Sequence, residues 1–184
     1  SGHGTHLGGA IISCHVDFVA NDVRAMLRTL GGAPSPMDCW LGNNGIKTFG
    51  VRMKQHCANA DAVARYLASH PKVKDVRYPG LESHPQHDIA KRQMIHFGGM
   101  LSFELHGGAD SAKKLMTHLR LASLAASLGT VDSLIQLSSA MNYGFLDRAA
   151  QQKMTITEGL MRYSTGIEDT EDVLDDFDQA LKKV

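Results

Sequence analysis

The chain has 184 residues, of which 43% are hydrophobic and 21% are charged, and its 19 basic side chains balance 19 acidic ones. This length suits one domain, or one domain with part of another. A net charge of zero gives no electrostatic basis for binding nucleic acid or an anionic membrane surface. No apolar run approaches the length of a membrane span. We therefore expect a soluble globular protein with neither a nucleic-acid nor a membrane partner.

The cysteines and histidines form no recognisable metal-binding pattern. The three cysteines, Cys14, Cys39 and Cys57, are odd in number and match no zinc spacing. Among the ten histidines, His84 and His87 stand close together, but the proline between them favours a turn over two ligands on one helical face. We therefore expect no metal site, and we expect a reducing, cytoplasmic location.

The first thirty residues predict a strand followed by a helix. Residues 7–13 are a short apolar run containing two glycines near its start, which predicts a buried strand. Apolar side chains then recur at helical spacing over residues 21–30, and Gly31 and Gly32 should end that helix. The residues that carry this spacing are Val23, Met26, Leu27 and Leu30.

A second helix is predicted to begin near Ser35. Serine is a favoured N-cap, Pro36 suits the first helical position, and Asp38 places negative charge in the first turn. The glycines and asparagines of residues 42–45 should interrupt this helix. A long amphipathic helix is then predicted over residues 46–69.

Strands and helices alternate from residue 72 onward. The predicted strands cover residues 73–78, 100–105, 121–128 and 159–167. The predicted helices cover residues 87–94, 110–119 and 170–183, with Thr170 as the cap of the last one. Because two of the strands alternate apolar and polar side chains, we expect a half-exposed sheet. The fold class is therefore α/β, with a small antiparallel-rich sheet of about four strands and helices on one face.

Several segments, taken together and in order, resemble one enzyme family. Residues 78–87 read YPGLESHPQH, residues 34–41 read PSPMDCWL, and residues 45–48 read GIKT. Residues 127–135 read SLGTVDSLI, and residues 159–169 read GLMRYSTGIED. These segments resemble those of the cysteine/methionine (transsulfuration) enzymes, which depend on pyridoxal 5'-phosphate. The resemblance extends over essentially the whole chain.

The resemblance implies a fragment of the aspartate-aminotransferase-like fold, known as fold type I. Residues 1–45 would be a remnant of the large cofactor-binding domain and the start of a linking helix, and residues 46–184 would be that helix and the C-terminal domain. Residues 2–9, GHGTHLGG, resemble the segment that follows the cofactor-binding lysine. That lysine would then precede Ser1, so we expect no catalytic residue here. We also expect this chain alone to be inactive and not to bind pyridoxal phosphate covalently.

Three residues are implied in binding the substrate. Arg162 stands where the family carries its carboxylate-binding arginine, and a planar guanidinium can bind a carboxylate through two hydrogen bonds. Periodicity alone would make Arg162 a surface residue of a half-exposed strand. Ser133 resembles the serine that assists the same carboxylate, although it could also cap a helix before Leu134. Asn142 lies in a segment that borders the substrate in relatives, and this segment differs here from the family pattern, so the resemblance implies a substrate-binding role for Asn142 without fixing which substrate is preferred.

The resemblance implies an enzyme that cleaves or forms a carbon–sulfur bond in a sulfur-containing amino acid. A cystathionine gamma-lyase-like activity is the first hypothesis. Methionine gamma-lyase, cystathionine beta-lyase, cystathionine gamma-synthase and O-acetylhomoserine sulfhydrylase remain open. A hypothesis of a different class is a non-catalytic module for oligomerisation or binding. The expected protein partner is a further copy of the chain, as in a homotetramer, or an N-terminal half.

Overall fold

The computed structural model describes residues 1–184, which form two compact units, residues 1–49 and residues 50–184. No helix in it is both long enough and apolar enough to cross a membrane. The first unit is helical. A π-helical segment, Phe18–Val23, leads into α1, Arg24–Leu30, and α2 spans Pro36–Lys47. α1 ends at Gly31, whose φ of 73° is the left-handed conformation that glycine adopts most easily.

The N-terminus of α2 confirms the predicted cap. The Ser35 hydroxyl accepts from the backbone nitrogen of Asp38 at 3.1 Å, and the Asp38 carboxylate accepts from the backbone nitrogen of Ser35 at 3.3 Å. The Ser35 hydroxyl hydrogen bond to Asp38 also helps to lower the pKa of this carboxyl group. The predicted interruption at residues 42–45 is wrong, because α2 continues through them. Each glycine costs only about 1 kcal/mol in a helix, too little to break one that is well capped.

The predicted strand over residues 7–13 is also wrong. This segment has no regular structure, and Leu7 and Ile12 are each 92% exposed. A strand needs a neighbour for its backbone hydrogen bonds, and residues 1–49 contain no other strand. The apolar composition of the segment therefore does not produce a strand.

The second unit contains a five-stranded sheet. Its strands are β1 (Val73–Arg77), β2 (Met100–Leu105), β3 (Ser123–Leu124), β4 (Leu134–Leu137) and β5 (Met161–Ser164). Their order is β1-β2-β5-β4-β3, and only the β3–β4 pair is parallel. The antiparallel-rich sheet is thus confirmed. The prediction of about four strands missed β4, and β3 is shorter than the predicted 121–128.

Three long helices pack on one face of this sheet, as predicted. The helices of the second unit are α3 (Phe49–Ser69), α4 (His87–Gln93), α5 (Gly108–His118), α6 (Ser138–Met141), α7 (Arg148–Lys153) and α8 (Thr170–Leu181). Helices α3, α5 and α8 supply the helical half of the core. The strands contribute Leu101, Phe103, Leu105, Ile135, Leu137, Met161 and Tyr163 to the same core. Because strand side chains alternate, the residues between them lie on the opposite face.

The N-cap of α8 differs from the prediction. Asp169, and not Thr170, caps this helix, because its side chain accepts a hydrogen bond from the backbone nitrogen of Glu171 at 2.9 Å. The Thr170 hydroxyl instead donates to the side-chain oxygen of Asn59 on α3 at 2.6 Å. The Thr170 hydroxyl therefore joins α8 to α3 and is not available for the cap of α8 that the sequence pattern had predicted.

Candidate functional site

The sheet face opposite the core carries a row of polar side chains. Arg162 on β5 is the register partner of Ser102 on β2 and of Gln136 on β4. All three residues alternate with apolar residues that point into the core. The three polar side chains therefore lie side by side across the central strands of the sheet.

These side chains line a cavity of ≈ 220 Å³. The segment between β4 and β5 supplies the other wall, which includes the predicted residue Asn142. The full lining consists of Ser102, Gln136, Ser138, Asn142, Tyr143, Met154, Ile156, Leu160 and Arg162. Two of the three sequence-predicted site residues, Arg162 and Asn142, are thus brought to one cavity.

Arg162 is the only charged residue in this lining. One of its terminal nitrogens, Nη2, donates to the backbone oxygen of Ser127 at 2.6 Å, which fixes the direction of the side chain. Its Nε is buried and has no hydrogen-bond partner. Burial lowers the pKa of the guanidinium. A partly desolvated cation with an unused donor is suited to bind a carboxylate.

Ser133 lies outside the cavity lining and is fully buried. Its hydroxyl donates to Oε2 of Glu168 at 2.9 Å and accepts from the backbone nitrogen of Gly166 at 2.8 Å. The residue directly precedes β4, so neither the capping alternative nor a free hydroxyl describes it. A direct role for Ser133 in substrate binding stays a prediction.

Buried hydrogen bonds hold the wall that faces Arg162. The side-chain nitrogen of Gln151 on α7 donates to the backbone oxygens of Ser139 at 3.1 Å and Tyr143 at 2.7 Å. This amide therefore fixes the turn that carries Asn142 and Tyr143 into the cavity. Gln151 is itself buried, at 3% exposure, so water does not compete strongly for these bonds.

A buried carboxylate fixes the end of the same wall. Glu104 on β2 accepts from the Thr157 hydroxyl through a short hydrogen bond and pairs with Lys74 at 3.2 Å. Arg77 donates to the backbone oxygen of Thr155 at 3.2 Å. Strands β1 and β2 thereby hold the loop that brings Met154 and Ile156 to the cavity.

Sequence reasoning missed Gln136. Its side chain is 1% exposed, and neither its oxygen nor its nitrogen has a hydrogen-bond partner. The one available signal is a single polar residue inside the apolar run Leu134–Leu137, but this strand was not predicted. The structure places this amide beside Arg162.

Comparison with known proteins identifies the family. A family model described as "Cys/Met metabolism PLP-dependent enzyme" matches residues 1–182. The chain is 42% identical over 186 residues to an L-methionine gamma-lyase of Fusobacterium nucleatum subsp. polymorphum, covering 100% of this chain and 47% of the relative. It is also 42% identical over 182 residues to a cystathionine gamma-lyase of Sus scrofa, covering 99% and 45%.

The fold agrees with this match. A crystal structure of cystathionine gamma synthase from Xanthomonas oryzae pv. oryzae superposes with a TM-score of 0.94 at 37% identity, covering 99% of this chain and 47% of that one. The chain therefore spans about half the length of the relatives it matches. Sequence and fold agree over the same residues, and the chain belongs to the Cys/Met metabolism family of enzymes that depend on pyridoxal 5'-phosphate.

Proposed function

We propose that this chain forms the carboxylate-binding part of an enzyme that cleaves or forms a carbon–sulfur bond in a sulfur-containing amino acid. The observation that carries this proposal is the state of Arg162. It is a partly buried cation with an unpaired Nε, in a cavity whose other lining residues carry no charge. Relatives named as an L-methionine gamma-lyase, a cystathionine gamma-lyase and a cystathionine gamma synthase support the proposal.

In this proposal, Arg162 orients the substrate. Its guanidinium binds the substrate carboxylate through parallel hydrogen bonds, which fixes both the position and the plane of that group. Asn142 on the facing wall then contacts the rest of the substrate and contributes to its selection. Ser133 acts with Arg162 by holding the turn after β5 through Gly166 and Glu168.

The Arg162 cavity does not by itself fit pyridoxal phosphate. No lysine is present in its lining to bind the cofactor aldehyde, and Arg162 is its one cation. When bound, the cofactor supplies the electron sink for the reaction. In this proposal, the role of this chain is to bind the amino-acid substrate. We propose that residues 1–184 alone are inactive and do not bind the cofactor covalently.

The reaction we favour is that of a cystathionine gamma-lyase, with methionine gamma-lyase as the second candidate. Relatives of both kinds are 42% identical to the chain. We further propose that residues 1–45 belong to the cofactor domain and residues 46–184 to the linking helix and C-terminal domain. The division between the compact units, after Phe49, lies near this boundary.

We also propose that the chain assembles with further copies of itself, as a homotetramer, or with an N-terminal half. Exposed apolar side chains in residues 1–49 support an association of this kind, because such a surface gains from being covered. Examples are Leu7, Ile11, Ile12 and Leu30. The free thiols of Cys14, Cys39 and Cys57 support a reducing, cytoplasmic location.

The test of the function replaces Arg162 in the complete enzyme. We expect Arg162→Ala to lower kcat/KM for L-cystathionine and L-methionine by roughly 10- to 150-fold, since a hydrogen bond to a charged group contributes about 1.5–3 kcal/mol. Arg162→Lys should also be impaired, because it keeps the charge but loses the planar donor pair. Arg92→Ala, at an exposed position on α4, is the matched control. Control-like kinetics in Arg162→Ala would refute the proposed role.

A further inference from the structure

Three polar atoms on neighbouring strands share one unusual property. Gln136 Oε1, Gln136 Nε2 and Arg162 Nε are all buried without a hydrogen-bond partner. Gln136 and Arg162 are direct partners in the β4–β5 register, so their Cβ atoms lie about 4.5–5.5 Å apart. Both side chains line the same cavity. Three of the six buried side-chain atoms without a partner therefore lie at this one cavity, and the other three are single atoms of His6, His56 and Gln179.

An unpaired amide at this position is costly. Buried polar groups in proteins nearly always have a partner, because burial removes the hydrogen bonds that water provides. A methionine or leucine at position 136 would leave no unpaired polar atom at this buried position. Neither polar atom of this amide makes a hydrogen bond in the structure, and the side chain lines a cavity that could hold a ligand.

The donors and acceptors complement one another around a carboxylate. The Gln136 oxygen can accept from Arg162 Nε, which would fix the guanidinium within the cavity. The Gln136 nitrogen would then remain as a donor for the group that Arg162 binds. A carboxylate accepts from both residues, whereas a neutral carboxamide would present its own N–H groups to one of these donors.

We propose that Gln136 is a second carboxylate-binding residue, which donates from Nε2 to the substrate carboxylate and positions Arg162 through Oε1. The inference rests on the proposed function, since it assigns a further contact to the same amino-acid site. It makes the pair Gln136–Arg162 selective for a free amino acid over its amide.

The test uses Gln136→Met in the complete enzyme, with L-methionine as substrate. We expect KM to rise about ten-fold with kcat changed little, because a lost hydrogen bond to a charged group is worth at least a factor of about ten in binding. Thermal unfolding of the ligand-free variant should occur at the same or a higher temperature, since the unpaired amide is gone. Gln152→Met, an exposed glutamine on α7, is the matched control.

A second measurement works without any substitution. In protein labelled with ¹⁵N in its glutamine side chains, the Gln136 amide signal should shift on addition of L-methionine and stay in place with L-methioninamide. The inference is overturned if Gln136→Met leaves KM unchanged, or if the chemical shift of the Gln136 amide does not change on addition of L-methionine. If Arg162→Ala is impaired while Gln136→Met is normal, only the role of Gln136 fails. If both are normal, the proposed function fails as well.

Discussion

Ser133 and Glu168 are joined by two hydrogen bonds across the turn that follows β5. The backbone nitrogen of Ser133 donates to Glu168 Oε1 at 2.6 Å, and its hydroxyl donates to Oε2 at 2.9 Å. The same hydroxyl accepts from the backbone nitrogen of Gly166. One small side chain therefore connects the start of β4 to the segment that leads into α8.

We expect Ser133→Ala to lower the free energy of unfolding by about 1–3 kcal/mol, because Glu168 and the Gly166 nitrogen would each lose a buried partner. Urea unfolding measures this loss, and Ser83→Ala, at an exposed serine, provides the baseline. Equal stability of the two variants would contradict the prediction. Kinetics of the same variant in the complete enzyme test the separate prediction that Ser133 assists substrate binding.

The core should depend strongly on Phe177 of α8. Its ring packs edge-to-face against Tyr163 at 5.0 Å and Phe103 at 6.0 Å between ring centres, and the residue is 1% exposed. We expect Phe177→Ala to cost about 3–5 kcal/mol of unfolding free energy, because it leaves a cavity between the helix and the sheet. Phe145→Ala is the comparison, at 81% exposure. A similar midpoint of thermal unfolding in both variants would show that the ring packing contributes little.

The wall of the cavity should loosen when Gln151 is replaced. Gln151→Leu removes the donor that holds the backbone oxygens of Ser139 and Tyr143. We expect backbone amides in residues 139–146 to exchange with solvent roughly ten-fold faster, while those of β2 and β5 keep their protection. Hydrogen exchange read by mass spectrometry measures this, and Gln152→Leu is the control. Uniform acceleration across the sheet would instead indicate a global loss of stability.

We expect the raised pKa of Tyr66 to make the folded protein less stable at alkaline pH. Burial, followed by the charge of Asp178 and the hydrogen bond to it, raises the pKa of Tyr66 to about 12 from its ordinary value of 10.0. Because the folded state holds this proton more tightly, the contribution of Tyr66 is fully present below pH 10 and is lost as the pH rises through about 12. The stability difference between wild type and Tyr66→Phe should therefore shrink across this range in urea unfolding. A difference that is constant with pH would contradict the shift.

The strand that carries Arg162 was predictable from local sequence, whereas β4 was not. Met161 and Tyr163 flank Arg162 with apolar side chains, which is the alternation of a half-buried strand. All four residues of β4 are buried, including Gln136, so alternation is absent there. The burial of Gln136 depends on its neighbours in the folded sheet, such as Arg162, and these neighbours cannot be identified from the residues around position 136.

Local chemistry also predicted one helix cap and failed at another. Ser35 and Asp38 are close in sequence, so their capping box needs no distant residue. Thr170 hydrogen bonds to Asn59, 111 residues away, and this contact could not be read from the residues around it. The apolar run of residues 7–13 predicted burial in the same local way, but a strand also requires a neighbouring strand. The cap formed by residues near in sequence was thus predicted correctly, whereas the two features that depend on distant residues were not.

The order of the strands sets a constraint on how the chain is made. β5 is the last of these five strands in chain order, yet it lies between β2 and β4 at the middle of the sheet. Until residues 161–164 have been synthesised, β2 and β4 each keep an unpaired edge, and such edges are the surfaces through which nascent chains join one another. The unpaired edges of β2 and β4 are therefore covered only when β5, the strand that carries Arg162, has been synthesised.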